Sequence, residues 1–427
     1  MQNSPKVQGP NIALCLIRRQ ATKNLPPAGK NFVCLLTYGG ILFIGVEKSK
    51  KIGFFDRSAA LRKPFSGFDK REGVNWTMKL AGLDVGKDSV KVMVDGAAEP
   101  VIIPNVIVPG YERIVLQEED SPLKALDVVV SSPALAKNNQ RYFVGLLATE
   151  NEDNFELEET DNKALSDQSL VVAITALAVA GIMGGSYGGV PTITGVNEVE
   201  YLIGTGLPVR LFPRFHRRFE ERLVGEHEVT FLTTPGLRDR KVRVIIRRAV
   251  VSIEGAAAIL NLATYDNLQV KDEELYYGTI GVCEIGALTT DLPVVKRMTI
   301  DNHFSHGEQV GMAGYLDSII RDVEDMYGYT FPSRAKLVAK IKNRDYTIQR
   351  IGEGTADIKP IVDHYFSRIA MRIVDIIRKR WRKYPDIQCF YVVGGGAAAL
   401  QPYLVEAAGP MRSGLWKTPS CKTCSGI

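Results

Sequence analysis

Residues Met78 to Val94 read MKLAGLDVGKDSVKVMV, and two apolar runs, Leu80 to Leu83 and Val90 to Val94, flank the polar stretch Asp84-Val85-Gly86-Lys87-Asp88-Ser89. Apolar, largely β-branched runs around a glycine-bearing turn predict a hairpin, with Gly86 supplying backbone freedom and exposed N–H groups. Such a turn suits a phosphate. Far downstream, Tyr277 to Val295 (YGTIGVCEIGALTTDLPVV) repeats the design: a strand from Thr279 to Cys283 leads into Glu284-Ile285-Gly286 and then into Leu292 to Val295. Two acid-x-Gly hairpins predict a duplicated fold that clamps one ligand between two loops.

Two other stretches carry chemistry. In Val250 to Ala258 (VVSIEGAAA) a strand ends, Glu254 sits at its tip and a small-residue helix begins. Small residues can serve plain helix packing, but the C-terminal end of a strand beside a helix N-terminus is where open α/β sheets place their sites. Near the end of the chain a strand, Cys389 to Val393, runs into Gly394-Gly395-Gly396-Ala397 and a short helix, Leu400 to Ala408. Three glycines between strand and helix let the backbone approach a flat or phosphorylated ligand.

At 427 residues the chain exceeds one ordinary core, and its 45% hydrophobic and 24% charged content fits a soluble globular protein. The net charge of +5 is unevenly spread. Residues 1–77 hold 13 Lys and Arg against 4 Asp and Glu, whereas the remainder holds 40 against 44. The basic character belongs to the extension, so the main body is not expected to bind nucleic acid directly. Of the cysteines, Cys421 and Cys424 form a lone C-x-x-C with no second pair to complete four zinc ligands. Free thiols in a reducing cytoplasm are the expectation. His303 and His306 could share a helical face, but without a third ligand they read as structural. The apolar tract Phe32 to Val46 is shorter than the roughly 20 residues a spanning helix needs, so no membrane association is expected. Met78 is the natural start of the folded protein.

Between these landmarks, strands are predicted at Val101 to Ile103, Asn105 to Val108, Leu126 to Val130 and Tyr142 to Thr149, followed by an acidic solvated loop, Glu150 to Asp161. Ser166 to Met183 predicts a capped helix buried against a sheet. Gly184 to Gly189 lacks the Gly-Lys-Ser/Thr ending of a P-loop and reads as a flexible turn. Next come a strand at Tyr201 to Pro208, a basic amphipathic segment at Pro213 to Leu223, and strands at Glu228 to Thr233 and Lys241 to Ile246. Lys241 and Arg243 alternate with Val242 and Val244, which predicts a solvated strand face rather than a nucleic-acid patch. The stretch beyond Val295 is expected to be helical, at Gly311 to Met326, Ser333 to Ile341 and Ile358 to Trp381.

The four signals stand in one order: Asp84-x-Gly86 with Lys91, Glu254, Glu284-x-Gly286 with Asp291, and Val392-Val-Gly-Gly-Gly-Ala397. The set resembles the two phosphate loops, the connecting segment and the adenosine loop of the actin superfamily of ATPases. Gly204-Thr-Gly-Leu-Pro208 and Ile253-Glu254-Gly255 are most similar to the ParM/StbA group of plasmid-segregating bacterial actins, and the likeness covers about residues 78 to 410. It implies an α/β actin-like ATPase fold, two ribonuclease-H-like domains with a nucleotide cleft between them. The expected division is a basic extension at 1–77, domain I at 78–255, domain II with the adenosine loop at 256–412, and an irregular tail at 413–427.

The resemblance also implies ATP and Mg2+ as cofactors. Asp84, Gly86, Lys91, Gly286, Thr289, Gly394, Gly395, Gly396 and Ala397 would hold the nucleotide. Asp84 and Glu284 would hold Mg2+ through water, and Glu254, Glu284 and Asp291 would be catalytic. Glu254 falls where the family places the residue that orients or activates water, because phosphoryl transfer depends mainly on geometry and charge stabilisation. Two departures stand out. Glu284 replaces the usual Asp, shifting the carboxylate by about 1.5 Å, one C–C bond. Leu415 to Ile427 matches neither the strand nor the helix with which the family closes. The expected function is a cytoplasmic, bacterial ATPase that self-assembles into filaments and moves plasmid DNA through a DNA-bound adaptor. The alternatives are a sugar-kinase-type phosphotransferase on the same fold and a degenerate nucleotide-binding actin homologue.

Overall fold

The computed structural model describes residues 31–37, 40–46 and 78–408, less short breaks of which the longest is 151–161. The larger sheet has nine strands, in the order Val101–Pro104, Ser89–Val94, Lys79–Val85, Glu198–Leu207, Arg240–Ile253, Gly225–Phe231, Leu126–Ser131, Gln140–Val144 and Ile107–Pro109. Its centre is parallel, because Glu198–Leu207 runs alongside both Lys79–Val85 and Arg240–Ile253 in the same direction. Parallel strands need a covering crossover, and the Asp167–Ile182 helix is part of it. Ser166 caps this helix by accepting from the Ser169 N–H at 3.1 Å, and every residue from Ser169 to Ile182 is buried, as befits a helix apolar all round. Tyr201 in the central strand donates its hydroxyl to the Leu177 carbonyl at 2.9 Å, which pins sheet to helix.

The smaller sheet is built on Thr279–Ile285. Cys389–Val393 lies parallel along one edge, while Thr290–Leu292 and Val294–Lys296 share the other edge, both antiparallel to it. The helices Met312–Tyr327, Lys359–Trp381 and Gly395–Ala408 bring Ile319, Val362, Ile369, Ile373 and Leu400 into one core in which each is fully buried. Each such side chain is worth about 2 kcal/mol in apolar area removed from water. The mixed sheets and their covering helices are those of the expected α/β actin-like fold.

Several local expectations change. Tyr142–Thr149 is not one strand: Gln140–Val144 ends at Gly145, whose φ of 66° turns the chain into the short helix Leu146–Thr149. Met183–Tyr187 pairs with Val190–Ile193 where a turn was expected at Gly184 to Gly189. The strand at Lys241 to Ile246 and the one ending at Ile253 are a single strand, Arg240–Ile253, with Arg247 bulged out between the pairs Tyr201↔Ile246 and Leu202↔Arg248. A hairpin, Thr347–Arg350 with Gly354–Asp357, interrupts the stretch read as helical. His303 lies in a turn and His306 opens a strand, so no helical face unites them. The tract Phe32 to Val46 forms an antiparallel hairpin, Asn31–Thr37 with Gly40–Val46. The acidic stretch 151–161 and the tail 413–427 lie outside the described residues.

The basic strand face carries ion pairs: Lys241 meets Glu228 at 2.8 Å, Arg243 meets Glu198 at 3.0 Å and also Glu226, and Arg247 meets Glu200. Among the described residues no helix is long and apolar enough to cross a membrane.

Candidate active site

Asp84 is the penultimate residue of its strand, and antiparallel pairing with Ser89–Val94 sets Lys91 directly opposite it. The register makes the pair: Lys91 Nζ donates to Asp84 Oδ2 at 2.8 Å, with both side chains 16% exposed. At the turn a Cβ on Gly86 would lie 2.6 Å from the Ser89 carbonyl oxygen, so only glycine leaves this tight turn bare. The turn is held from behind by Asn105, which donates to the Gly86 carbonyl at 2.8 Å.

The second hairpin is similar in shape but pairs two acids where the first pairs an acid with a lysine. Gly286 donates its N–H to the Thr289 carbonyl at 2.9 Å to close the turn, and the residue opposite Glu284 is Asp291. Asp291 is almost wholly buried and accepts the Val209 N–H on Oδ1 at 2.7 Å. This contact reaches from the smaller sheet to the loop that follows the central strand of the larger one.

Glu254 stands at the tip of Arg240–Ile253, where its N–H donates to the Leu207 carbonyl at 3.0 Å. The next residue, Gly255, has φ 78°, and a Cβ there would sit 2.9 Å from Glu284 Oε2. Glycine thus permits the end of one sheet to touch the second hairpin. The third wall closes on the same hairpin. Gly394, at φ 94°, passes so close that a Cβ would lie 2.6 Å from the Ile285 carbonyl oxygen, and one on Gly396 would lie 2.5 Å from Ile285 Cγ2. The three glycines do not form an open loop, because the helix starts at Gly395 and Ala397 donates back to the Gly394 carbonyl at 3.1 Å. Gly395, Gly396 and Ala397 are the first turn of that helix, where the N–H groups of Gly395 and Gly396 precede the first intrahelical bond and suit an anion.

Sequence reasoning missed Lys163. Its side chain is 3% exposed and its ammonium forms an ion pair with Glu254 Oε1. Its backbone is fixed by a turn in which Ala164 donates to Asn162 Oδ1 at 3.0 Å and Ser166 donates to the Asn162 carbonyl at 3.0 Å. The only signal in the sequence was a lysine three residues ahead of the capping Ser166, at the end of an acidic stretch that reads as solvent-exposed.

Four carboxylates and two lysines therefore share one region, and their charges respond. Burial favours the neutral form of Asp84, but Lys91 and then Lys163 outweigh it and hold the carboxyl below its ordinary value. Lys163 behaves in the mirrored way: burial opposes its charge, while Glu254 and Asp84 sustain it above the usual lysine value. Glu254 is raised, chiefly by burial and by Asp84 against the pull of Lys163. Glu284 is raised well above a normal glutamate by burial, then by Glu254, Asp291 and Asp84. Asp291 is pushed up to about 7 by burial and Glu254, against the hydrogen bond from Val209.

Glu284 Oε2 is buried without a hydrogen-bond partner, a costly arrangement for a carboxylate oxygen. An orphaned hard oxygen near Asp84, beside bare glycine turns, fits a hydrated divalent cation and a polyphosphate. Among the described residues no three His, Cys, Asp or Glu side chains cluster to ligate a metal by themselves. Mg2+ asks for less, since it binds through one or two carboxylates, substrate phosphates and retained water.

A family model for the N-terminal domain of actin-like proteins matches residues 82–256, and one for the C-terminal domain of archaeal MreB-like actin homologues matches residues 282–406. Sequence comparison with curated proteins gave no match. Among solved structures, ParM of Bacillus thuringiensis with ATP superposes with a TM-score of 0.60 at 22% identity, over 77% of this chain and 90% of that one. A 15-stranded ParM filament from Clostridium botulinum gives 0.60 at 19%, over 82% and 97%. The archaeal actin homologue Ta0583 gives 0.60 at 18%, over 80% and 94%. With a shared fold along most of its length and actin-like family models matching both of its halves, this chain belongs to the actin-like ATPase superfamily.

Proposed function

We propose that this protein binds ATP with Mg2+ in the cleft between its two hairpins, hydrolyses it, and assembles into nucleotide-dependent filaments. The observation that carries the proposal is convergence: the Gly86 hairpin, through Asp84, lies within electrostatic reach of Lys163, which pairs with Glu254, while Gly255 and the Gly394–Gly396 turn pack against Glu284 and Ile285 of the second hairpin. The backbone of the two turns would cradle phosphate oxygens, with Thr289 closing the second turn. Lys91 would oppose phosphate charge. Gly394, Gly395, Gly396 and Ala397 would lie against the nucleoside. Asp84 and Glu284 would hold the cation through water, and bound Mg2+ would neutralise the phosphates and fix their orientation. Glu254, kept at the strand tip by its backbone bond to Leu207, would orient the attacking water, and Asp291 would fix the second hairpin against Val209.

Filament formation, plasmid segregation through a DNA-bound adaptor, and a bacterial cytoplasmic setting belong to the same proposal. Their support is the fold shared with ParM structures, one of them a filament. The test is sedimentation and light scattering of the full chain with ATP, ADP or a slowly hydrolysed ATP analogue, alongside phosphate release. Polymer that forms with ATP and decays as phosphate appears is expected. Absence of polymer in every nucleotide state would sink the filament reading, and absence of nucleotide binding would sink the whole.

A further inference from the structure

We propose that Lys163 is the positioning residue of the hydrolytic site: it holds one oxygen of Glu254 and leaves the other to the attacking water. This rests on the ATPase reading above and adds to it a residue outside the family-derived set.

Burying a lone ammonium is costly even after relaxation, so a lysine this deep persists only with compensating charge. Its compensation is specific. Lys163 pairs directly with Glu254, while Asp84, also electrostatically close, has Lys91 as its own hydrogen-bonded partner. The two lysines are thus divided, one per carboxylate. The exposures differ in the direction the role requires, since the Lys163 side chain is 3% exposed and that of Glu254 19%. The cation is sealed behind the carboxylate, which keeps its own access to the cleft.

The anchoring is rigid. Lys163 sits in the Asn162 turn, and three residues on Ser166 caps a helix whose last fourteen residues, Ser169 to Ile182, are buried. A carboxylate paired at one oxygen with a cation this deeply buried is restricted in its orientation. Fixed orientation of this kind is what water activation requires in a reaction governed by positioning. The same cation offsets the repulsion that Glu254 would otherwise feel from Asp84.

The test uses the full chain and five proteins: wild type, Lys163→Met, Lys163→Arg, Glu254→Gln, and Lys163→Met combined with Glu254→Gln. Affinity for a fluorescent ATP analogue and single-turnover phosphate release are measured separately. Lys163→Met is expected to slow turnover about 100-fold, the scale of losing a well-placed base, with nucleotide affinity changed less than about threefold. Lys163→Arg should recover most of that loss. The double variant should be no slower than Glu254→Gln alone, because Lys163 acts through Glu254. This last comparison decides the matter even where Lys163→Met alone does not fold, since the double variant removes both charges together. Turnover at the wild-type rate in Lys163→Met, a loss confined to affinity, or a double variant slower than Glu254→Gln would overturn the role of Lys163 alone. Wild-type protein that binds nucleotide but releases no phosphate would overturn this role and the ATPase reading together.

Discussion

The two hairpins share a plan and differ in one cross-strand partner. In the first, Asp84 faces Lys91; in the second, Glu284 faces Asp291 at the same register position, seven residues on. Opposite charges directly across a ladder stabilise and like charges repel. Lys91 helps hold Asp84 below its ordinary value against burial, whereas burial first, then Glu254 and Asp291, drive Glu284 well above its own. Repetition of a backbone motif therefore gave the two turns one shape, while burial and the residues around each acid set them apart electrostatically. The first hairpin is electrostatically complete without ligand. The second keeps a buried oxygen, Glu284 Oε2, without a hydrogen-bond partner, and under the proposed function a cation would supply one.

Removing the cation from the first hairpin is the largest way to break this contrast. Lys91→Met should destabilise the protein by about 3 kcal/mol, the lower end for stripping one member of a mostly buried pair, and urea titration of variant and wild type would measure it. Loss of less than half that amount would mean that Asp84 is solvated rather than paired.

The second hairpin should respond with the opposite sign. Asp291 has its carboxyl raised to about 7 against an ordinary 3.8. The native state thus takes up a proton that the unfolded chain releases. The stabilisation is full below the unfolded value and is lost as pH rises through the native one. Nucleotide-free wild type should lose stability between pH 4 and pH 7. Asp291→Asn, which keeps an acceptor for the Val209 N–H, should gain on wild type by about 2.5 kcal/mol from pH 5 to pH 8, counting roughly 1.4 kcal/mol per unit up to the native value. Melting temperatures across that range check it, and a constant gap would remove Asp291 from the titration.

The smallest effect compares the turns. A Cβ on Gly86 would come within 2.6 Å of a backbone oxygen, and one on Gly286 within 3.2 Å. Gly86→Ala should therefore cost about 1 kcal/mol more than Gly286→Ala, at the lower end of the overpacking range. Equal costs would show that the first turn relaxes as freely as the second. Paired denaturation curves are sufficient to read it.

Much of this was legible in the sequence where the signal is local. Ser166 followed by an unbroken apolar run specified a capped buried helix, and both acid-x-Gly turns lie where spacing put them. The long strand Arg240–Ile253 was read as two because the bulge at Arg247 shifts the inside-outside alternation by one residue, and alternation is what sequence offers. Gly145 hid the end of a strand for a related reason: its positive φ redirects the chain without changing composition.

Sequence alone determined the order of the motifs, the hairpins that carry them and the apolar segments that bury against them, since periodicity and turn chemistry act between neighbours in the chain. Tertiary structure alone decided how the acids are charged. Lys163 and Glu254 are separated by 91 positions, and nothing local marks either as the other's partner. A buried charge is governed by what lies within a few ångströms in space, and that distance exists only once the two sheets have met.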